Sequence, residues 1–316
     1  MSDAPPPLEM LSSHASVSIA NSLDELKEQL PSADVLLVWD YRYAELEPLL
    51  GSAPRLKWIH AASVGVDPLL TPELDRLGIT LTNSRGVFDT AIAEYVTGML
   101  LANLKRIPET LAFQAERVWE HRITKRLLGQ KIAVVGTGSI GRCIGRMLLT
   151  LGVDVVLLGR RASTNDPEFG EIPSVDRLAE VAADVSFLIL AAPLTAGSRH
   201  MVDGAVLRAL GPEGYLVNVG RGALVVEDDL IEVLSSRELG GAALDVFTTE
   251  PLPKDSPLWS LENVTVSPHM SADYDGFDDD LVALFRDNLL RWKDGATLLN
   301  IVDVGLGYVP TDPQTT

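Results

Sequence analysis

Cysteine occurs once in the 316 residues, at Cys143. A single thiol closes no disulfide within the chain, so it sets no redox compartment, and a cytoplasmic location fits. Cys143 reads as a small core residue rather than a nucleophile. Lysine is also scarce, at seven of the 26 basic residues, against 44 acidic residues and a net charge of −18. Such a surface repels phosphate backbones and anionic lipid, which excludes nucleic acid and membrane as partners. Its self-repulsion is relieved by salt screening, so the charge balance points to a halophilic host. No apolar run reaches the roughly 18 residues that span a bilayer. The N-terminus lacks the basic-then-apolar pattern of a signal peptide. The chain is 46% hydrophobic and long enough to bury the cores of two domains. It carries no internal repeat.

The most informative stretch is 131–161. Lys131 to Val135 is a short apolar run rich in β-branched residues, as in a buried parallel strand. Gly136, Gly138 and Gly141 follow directly. Ile140, Ile144, Met147, Leu148 and Leu151 then recur at helical spacing, with Gly152 where a helix ends. Val155 to Leu158 forms a second strand. Strand, glycine turn, helix and strand within about thirty residues is the context of a dinucleotide-binding unit. Gly136 permits the tight turn, Gly138 admits a pyrophosphate to the backbone, and Gly141 lets helix pack on strand. The helix N-terminus offers N–H groups and partial positive charge to the phosphates. NAD-binding units place an acid about 20 residues on, against the ribose 2′-hydroxyl. Here Gly159, Arg160 and Arg161 stand there instead. With no carboxylate to repel a 2′-phosphate and two guanidinium groups to grip it, NADP(H) is expected in preference to NAD(H), with NAD(H) still possible.

Along the rest of the chain, Pro5 to Pro7 suggest a loose end. Ser22 and Glu25 form a capping box for a helix. Strands are expected at Ala33 to Asp40, Leu56 to Ala61 and Ile79 to Thr82, with a short helix from Pro72 to Leu77 ended by Gly78. Asp89 to Leu104 reads as a helix apolar on most faces, buried between domains or subunits. Pro108 to Leu128, with Trp119, reads as a linker-like arm. Further strands are expected at Ser186 to Ala191, Tyr215 to Val219, Ala242 to Val246 and Val264 to Val266, then a last helix over 274–294 and a trailing end over 309–316. The class is α/β, with strands alternating with helices in parallel sheets.

Seven motifs, in order and spacing, resemble the D-isomer-specific 2-hydroxyacid dehydrogenase family over nearly the whole chain. They are Ala62-Ser63-Val64-Gly65-Val66-Asp67, Ala93-Glu94-Tyr95, the glycine turn, Ala192-Pro193-Leu194-Thr195, Asn218-Val219-Gly220-Arg221-Gly222, Asp245 through Pro253, and Ser267-Pro268-His269. The resemblance implies an α/β fold of two doubly wound parallel-sheet domains of Rossmann or flavodoxin type, a substrate domain of residues 1–85 and 272–316 and a dinucleotide-binding domain of residues 86–271. It also implies reduction of a 2-oxo acid to a D-2-hydroxy acid in a homodimer. Tyr95 departs from the histidine that many relatives carry.

Such a reduction needs a cation for the carboxylate, a proton donor for the carbonyl oxygen, and a group that keeps that donor protonated. Arg221, which can hold a carboxylate through two parallel hydrogen bonds, fits the first. His269, at a strand end, fits the second. Glu250, on a loop stiffened by Pro251 and Pro253, fits the third. His14, His60, His121 and His200 read as structural or exposed. The resemblance further implies backbone N–H groups of Val64 and Gly65 on the substrate carboxylate, Ser139 and Ile140 at the pyrophosphate, and Ala192 and Pro193 near the adenosine. Val219, Gly220 and Asp245 would lie near the nicotinamide, with Arg221 and His269 alongside. No metal is expected. Rival readings are a phosphoglycerate, hydroxypyruvate or formate dehydrogenase of the same architecture, or a cofactor-sensing corepressor. No appended regulatory domain and no formate-type asparagine and glutamine pattern are expected, and retention of Arg221, Glu250 and His269 argues for catalysis.

Overall fold

Short β-branched runs alternating with helical segments pair in parallel, because each helical crossover returns the chain to the same end of the sheet. The computed structural model describes residues 7–39 and 46–310. Pro5, Pro6, Asp40 and the tail from Thr311 lie outside the described residues. The chain divides into two units, Met1–Phe88 with Asp273–Thr316, and Asp89–Ala272. The first division therefore falls at 88/89, not 85/86, and the return at 272/273.

In the first unit, β1 (Val35–Val38), β2 (Trp58–Ala61) and β3 (Thr80–Thr82) form a parallel sheet in that order. The helix Leu23–Gln29 starts as its capping residues require: the Ser22 hydroxyl accepts the Glu25 N–H. Glu25 in turn reaches one residue further out than expected, to the Asn21 N–H at 2.7 Å. Gly78 closes the helix Glu73–Leu77 in the left-handed conformation, with φ +65°. The long helix Phe277–Lys293 returns to this unit and lays Phe285 against Trp58 with ring centroids 5.1 Å apart.

Trp58 heads a directed chain of buried hydrogen bonds. Its indole N–H donates to Thr82 Oγ1 at 2.8 Å, and Thr82 Oγ1 lies 2.7 Å from His60 Nδ1. Ser84 gives its one hydroxyl hydrogen to the Ala61 carbonyl, so the facing His60 Nε2 must donate, and Nδ1 of the neutral ring accepts the Thr82 hydroxyl hydrogen. His60 is then the Nε2–H tautomer. It faces Ser84 Oγ at 3.3 Å, and Ser84 donates to the Ala61 carbonyl at 2.9 Å. Burial lowers the His60 pKa to about 3. A base whose pKa is depressed by folding contributes fully above its unfolded value and loses that contribution as pH falls toward the folded one. The ordinary value is 6.5. Stability should therefore drop by about 2 kcal/mol between pH 7 and pH 5 on account of this residue alone. Denaturant midpoints measured across that window should flatten in His60→Gln, and an unchanged slope would refute the assignment.

The second unit contains β4 (Lys131–Val135), β5 (Asp154–Leu158), β6 (Ser163–Asp166), β7 (Gly170–Ile172), β8 (Phe187–Leu190), β9 (Tyr215–Asn218), β10 (Gly241–Leu244) and β11 (Val264–Val266). Six of them make one wholly parallel sheet in the order β11-β10-β9-β8-β4-β5. Ile132 to Val134, Leu188 to Leu190, Leu216 and Val217 are all within 2% of full burial, as a sheet covered on both faces requires. The helix Asp89–Leu104 packs on the helix Ser139–Thr150 within this unit. Ile92, Val96, Leu100 and Leu104 form the buried stripe, whereas Leu101 is exposed. This helix is therefore less enclosed than its composition suggests.

Three local expectations change. The segment Pro108 to Leu128 is not wholly an arm, because Ile107–Glu116 is helical with Pro108 in its first turn, where a proline is tolerated. Cys143 is only partly buried, on the helix that follows the glycine turn. Burial and the neighbouring Asp89 charge push its thiol pKa up, which disfavours the thiolate. The antiparallel ribbon β6–β7 is unforeseen. It is tethered to the helix Ser139–Thr150 by Arg142, which pairs with Asp166 and Glu168 and lies over the Phe169 ring at 5.6 Å.

Candidate active site

Strand order determines where the singled-out side chains fall. In an open α/β sheet, ligands bind beyond the carboxyl ends of the strands, at the point where strand order reverses. Here that point lies between β4, which leads to β5 on one side, and β8 on the other. Every second-unit candidate in the strand-end loops follows one of these strands. Read across the sheet, β11 is followed by His269, β10 by Asp245 and Glu250, and β9 by Val219, Gly220 and Arg221. Next come β8 with Ala192 and Pro193, β4 with the glycine turn, and β5 with Gly159, Arg160 and Arg161.

The glycine turn has the shape a dinucleotide needs. Gly136 has φ +127°, and a Cβ there would come 2.6 Å from the Ala191 carbonyl oxygen, so the turn closes tightly against the end of β8. A Cβ on Gly141 would overlap the Gly136 carbonyl, so the helix sits directly on the turn. At Gly138 the space is open, and this residue caps the twelve-residue helix Ser139–Thr150 from an extended conformation. The close contacts at Gly136 and Gly141 are within the protein, and the room lies at the helix N-terminus, where a pyrophosphate is favoured. Ser139 Oγ donates to Asp89 at 3.2 Å, and Ile140 is partly buried beside it. The residues present therefore fit the group that the motif implies.

At the β5 end, a Cβ on Gly159 would come 3.0 Å from the Arg161 carbonyl oxygen and 3.1 Å from the Thr137 methyl. Arg160 and Arg161 are both exposed. On the loop after β8, Ser198 donates to the Pro193 carbonyl at 2.7 Å, while Ala192 and Pro193 remain partly or largely accessible.

At the other edge the acid–base pair is formed. His269 Nδ1 lies 2.7 Å from Glu250 Oε2, and the side chains keep 25% and 29% of their surface exposed. The second oxygen of Glu250 accepts the Phe247 N–H at 2.9 Å. Burial alone would raise the Glu250 pKa. The hydrogen bonds from His269 and Phe247, with the charges of His269 and Arg221, hold it below the ordinary carboxylate range instead. The Arg221 charge thus favours the ionised form of Glu250. Its own turn is set by Asn218, whose Nδ2 donates to the Arg221 carbonyl at 3.0 Å and whose Oδ1 accepts the Gly220 N–H at 3.1 Å. A Cβ on Gly222 would overlap the Phe247 backbone, so the Arg221 and Glu250 loops touch main chain to main chain. Val219 is nearly buried beneath them.

Asp245 is fully buried, and its carboxylate receives Ser267 Oγ at 2.5 Å and the Met270 and Ser271 N–H groups at 2.9 Å each. Its carbonyl accepts the His269 N–H at 2.9 Å. Tyr95, from the helix Asp89–Leu104, adds its hydroxyl to Ser267 Oγ at 2.5 Å. The Asp245, Ser267 and Tyr95 connections were not foreseen as a group. Ser267 and Tyr95 both stood in the motifs, but nothing in their spacing announces that they touch.

Val64 and Gly65 lie in the first unit, on the loop after β2. Three carbonyls of this loop are engaged. Ser63 accepts the Ser84 N–H at 2.9 Å, Val64 accepts Asn83 Nδ2 at 2.7 Å, and Gly65 accepts Ser63 Oγ at 2.8 Å. Among the described residues, no cluster of three or more metal-ligating side chains occurs, and no helix is long and apolar enough to cross a membrane.

Residues 97–271 match the profile of the D-isomer specific 2-hydroxyacid dehydrogenase NAD binding domain. The chain belongs to the D-isomer-specific 2-hydroxyacid dehydrogenase family. Among dehydrogenases and reductases of this kind, it is 32% identical to glyoxylate/hydroxypyruvate reductase A HPR2 of Arabidopsis thaliana over 258 residues, 80% of each chain. A family member from Aeromonas salmonicida superposes with a TM-score of 0.79 at 32% identity, covering 90% of both chains. The NADPH-dependent glyoxylate/hydroxypyruvate reductase of Sinorhizobium meliloti, solved with NADP and sulfate, gives 0.80 at 28% identity, covering 91% of this chain and 90% of that one. The parallel-sheet dehydrogenase fold expected from the motifs is thus the fold observed.

Proposed function

We propose that this dehydrogenase reduces a small 2-oxo acid to the D-2-hydroxy acid, with NADPH preferred over NADH. The observation that carries the reading is the His269–Glu250 pair at 2.7 Å, formed on the same sheet as the Arg221 turn and the glycine turn. The bound nicotinamide supplies the hydride. Arg221 anchors the substrate carboxylate and polarises the adjacent carbonyl. His269 delivers a proton from Nε2 to the developing alkoxide, since Nδ1 is engaged by Glu250. Glu250, kept ionised, stabilises the imidazolium and fixes the ring plane. Asp245, Val219 and Gly220 border the nicotinamide, Ala192 and Pro193 the adenosine, and Ser139 and Ile140 the pyrophosphate.

NADPH preference is supported by Arg160 and Arg161 standing exposed after β5, where no acid is present. The Sinorhizobium meliloti relative is NADPH-dependent. The deciding assay follows loss of reduced nicotinamide absorbance at about 340 nm with glyoxylate, hydroxypyruvate and larger 2-oxo acids. Turnover with at least one acid is expected, faster with NADPH, and none with any acid would overturn the reading. Run with and without molar KCl, the same assay tests the salt adaptation that the charge of −18 supports, because activity undiminished in dilute buffer would refute it.

The homodimer also belongs to this proposal. Along the helix Ile107–Glu116 and the segment after it, Trp119 is 100% exposed, Ile123 89%, Leu128 62% and Leu111 59%. So many apolar side chains in water favour coverage by a second copy. Sedimentation should give twice the 34.1 kDa chain mass, and Trp119→Asp with Ile123→Asp should shift it to the single-chain value. A wild-type chain sedimenting as a monomer would refute it.

A further inference from the structure

The turn that carries His269 is folded around a single buried carboxylate, and its anchoring continues to a residue outside the motif that supplies the acid. Four of the five residues 267–271 bond to Asp245: Ser267 through its hydroxyl, His269 through its N–H to the Asp245 carbonyl, and Met270 and Ser271 through N–H groups to the carboxylate. Those bonds hold His269 at φ +54°, in the left-handed region that residues bearing a Cβ rarely enter. Direction along the chain follows from hydrogen counting. Ser267 has one hydroxyl hydrogen and gives it to Asp245 Oδ1 at 2.5 Å. The Tyr95 hydroxyl, 2.5 Å from Ser267 Oγ, must then be the donor to Ser267. Burial raises the Tyr95 pKa, so the phenol keeps the hydrogen that the bond requires.

We infer that Tyr95 is a positioning residue for the acid–base step, acting through Ser267 and Asp245 on the turn that aims His269 at Glu250. This rests on the reading of His269 as proton donor, and it adds a residue from the helix Asp89–Leu104 to the site. Tyr95 touches neither substrate nor cofactor in this account. Its hydroxyl donates into the acceptor side of Ser267 and holds that side chain in place, Ser267 completes the donor set of Asp245, and Asp245 holds the strained backbone of His269. The phenol is long enough to reach Ser267 directly from that helix.

The test pairs turnover with a spectroscopic view of the His269 ring. Tyr95→Phe and Ser267→Ala remove one hydroxyl each, and Ser267→Thr keeps it. Tyr95→Phe and Ser267→Ala are expected to lower kcat about tenfold while KM for NADPH and for the 2-oxo acid stays within twofold, an effect on the chemical step rather than on binding. Ser267→Thr should restore most of kcat. In protein labelled with 15N-histidine, the His269 ring signals, assigned by their loss in His269→Gln, should move in Tyr95→Phe and Ser267→Ala and return in Ser267→Thr. Wild-type kcat with unmoved ring signals in both hydroxyl-free variants would overturn the inference, as would a rise in KM with kcat unchanged. Should the wild-type enzyme reduce no 2-oxo acid, the reaction proposed above fails, and the ring signals alone then decide whether Tyr95 sets the His269 turn.

Discussion

His269→Ala is expected to lower kcat for 2-oxo acid reduction by about 10³-fold, within the range that a positioned general acid contributes. Steady-state turnover with a saturating 2-oxo acid is the measurement. NADPH affinity, followed by fluorescence titration, should change less than threefold, because the glycine turn lies at β4, four strands away in the sheet order from the strand before His269. Glu250→Gln should cost less, about 10- to 100-fold, since it leaves the imidazole in place and removes only the charge that favours its protonated form. An alanine variant at 269 with near-normal turnover would mean that solvent or another side chain delivers the proton, and the assignment of the pair would fall.

Replacing Arg160 and Arg161 together by alanine is expected to raise KM for NADPH about 100-fold while leaving KM for NADH within a few-fold. Two charge-assisted hydrogen bonds to a 2′-phosphate contribute roughly 1.5 to 3 kcal/mol each, and their partial replacement by water accounts for the smaller net figure. Both side chains are exposed, so the substitution removes no core contact, and the thermal midpoint should barely move. Comparing the two cofactors in the same variant separates loss of the phosphate contact from general damage to the nucleotide site. Equal loss with NADPH and NADH would show that the arginines do not read the 2′-phosphate.

The parts of the fold that could be read from residues alone are those where composition and position agree. β4 is a run of β-branched residues ending in glycines, and Gly136 and Gly141 lie against backbone as their spacing demands. Gly152, at φ +74°, ends the helix between β4 and β5 where it was expected to. The helix Ile107–Glu116 escaped notice because it buries no residue, so it leaves no hydrophobic period to detect. The β6–β7 ribbon escaped because its first strand, Ser163–Asp166, has no strand-forming composition. It is held by Arg142, a residue more than twenty positions away in the chain, pairing with Asp166 and Glu168. In the site, the contact between His269 and Glu250 was legible through their motifs. The backbone geometry of His269 and its tie to Tyr95 were not, since both depend on a helix and a strand end that only folding brings together.

The order of the six strands has a consequence for how such an enzyme can change over time. Residues proposed to act on the reacting carbonyl sit past β9, β10 and β11, whereas those proposed to discriminate one cofactor from the other sit past β5, at the opposite margin of the sheet. Neighbouring strands are about 4.8 Å apart, so some 24 Å of rigid scaffold separates the two margins. Substitutions that far apart with no shared partner combine without interference. A lineage can therefore exchange its source of reducing equivalents without retuning its acid, and can alter the acid's surroundings without losing its grip on the coenzyme.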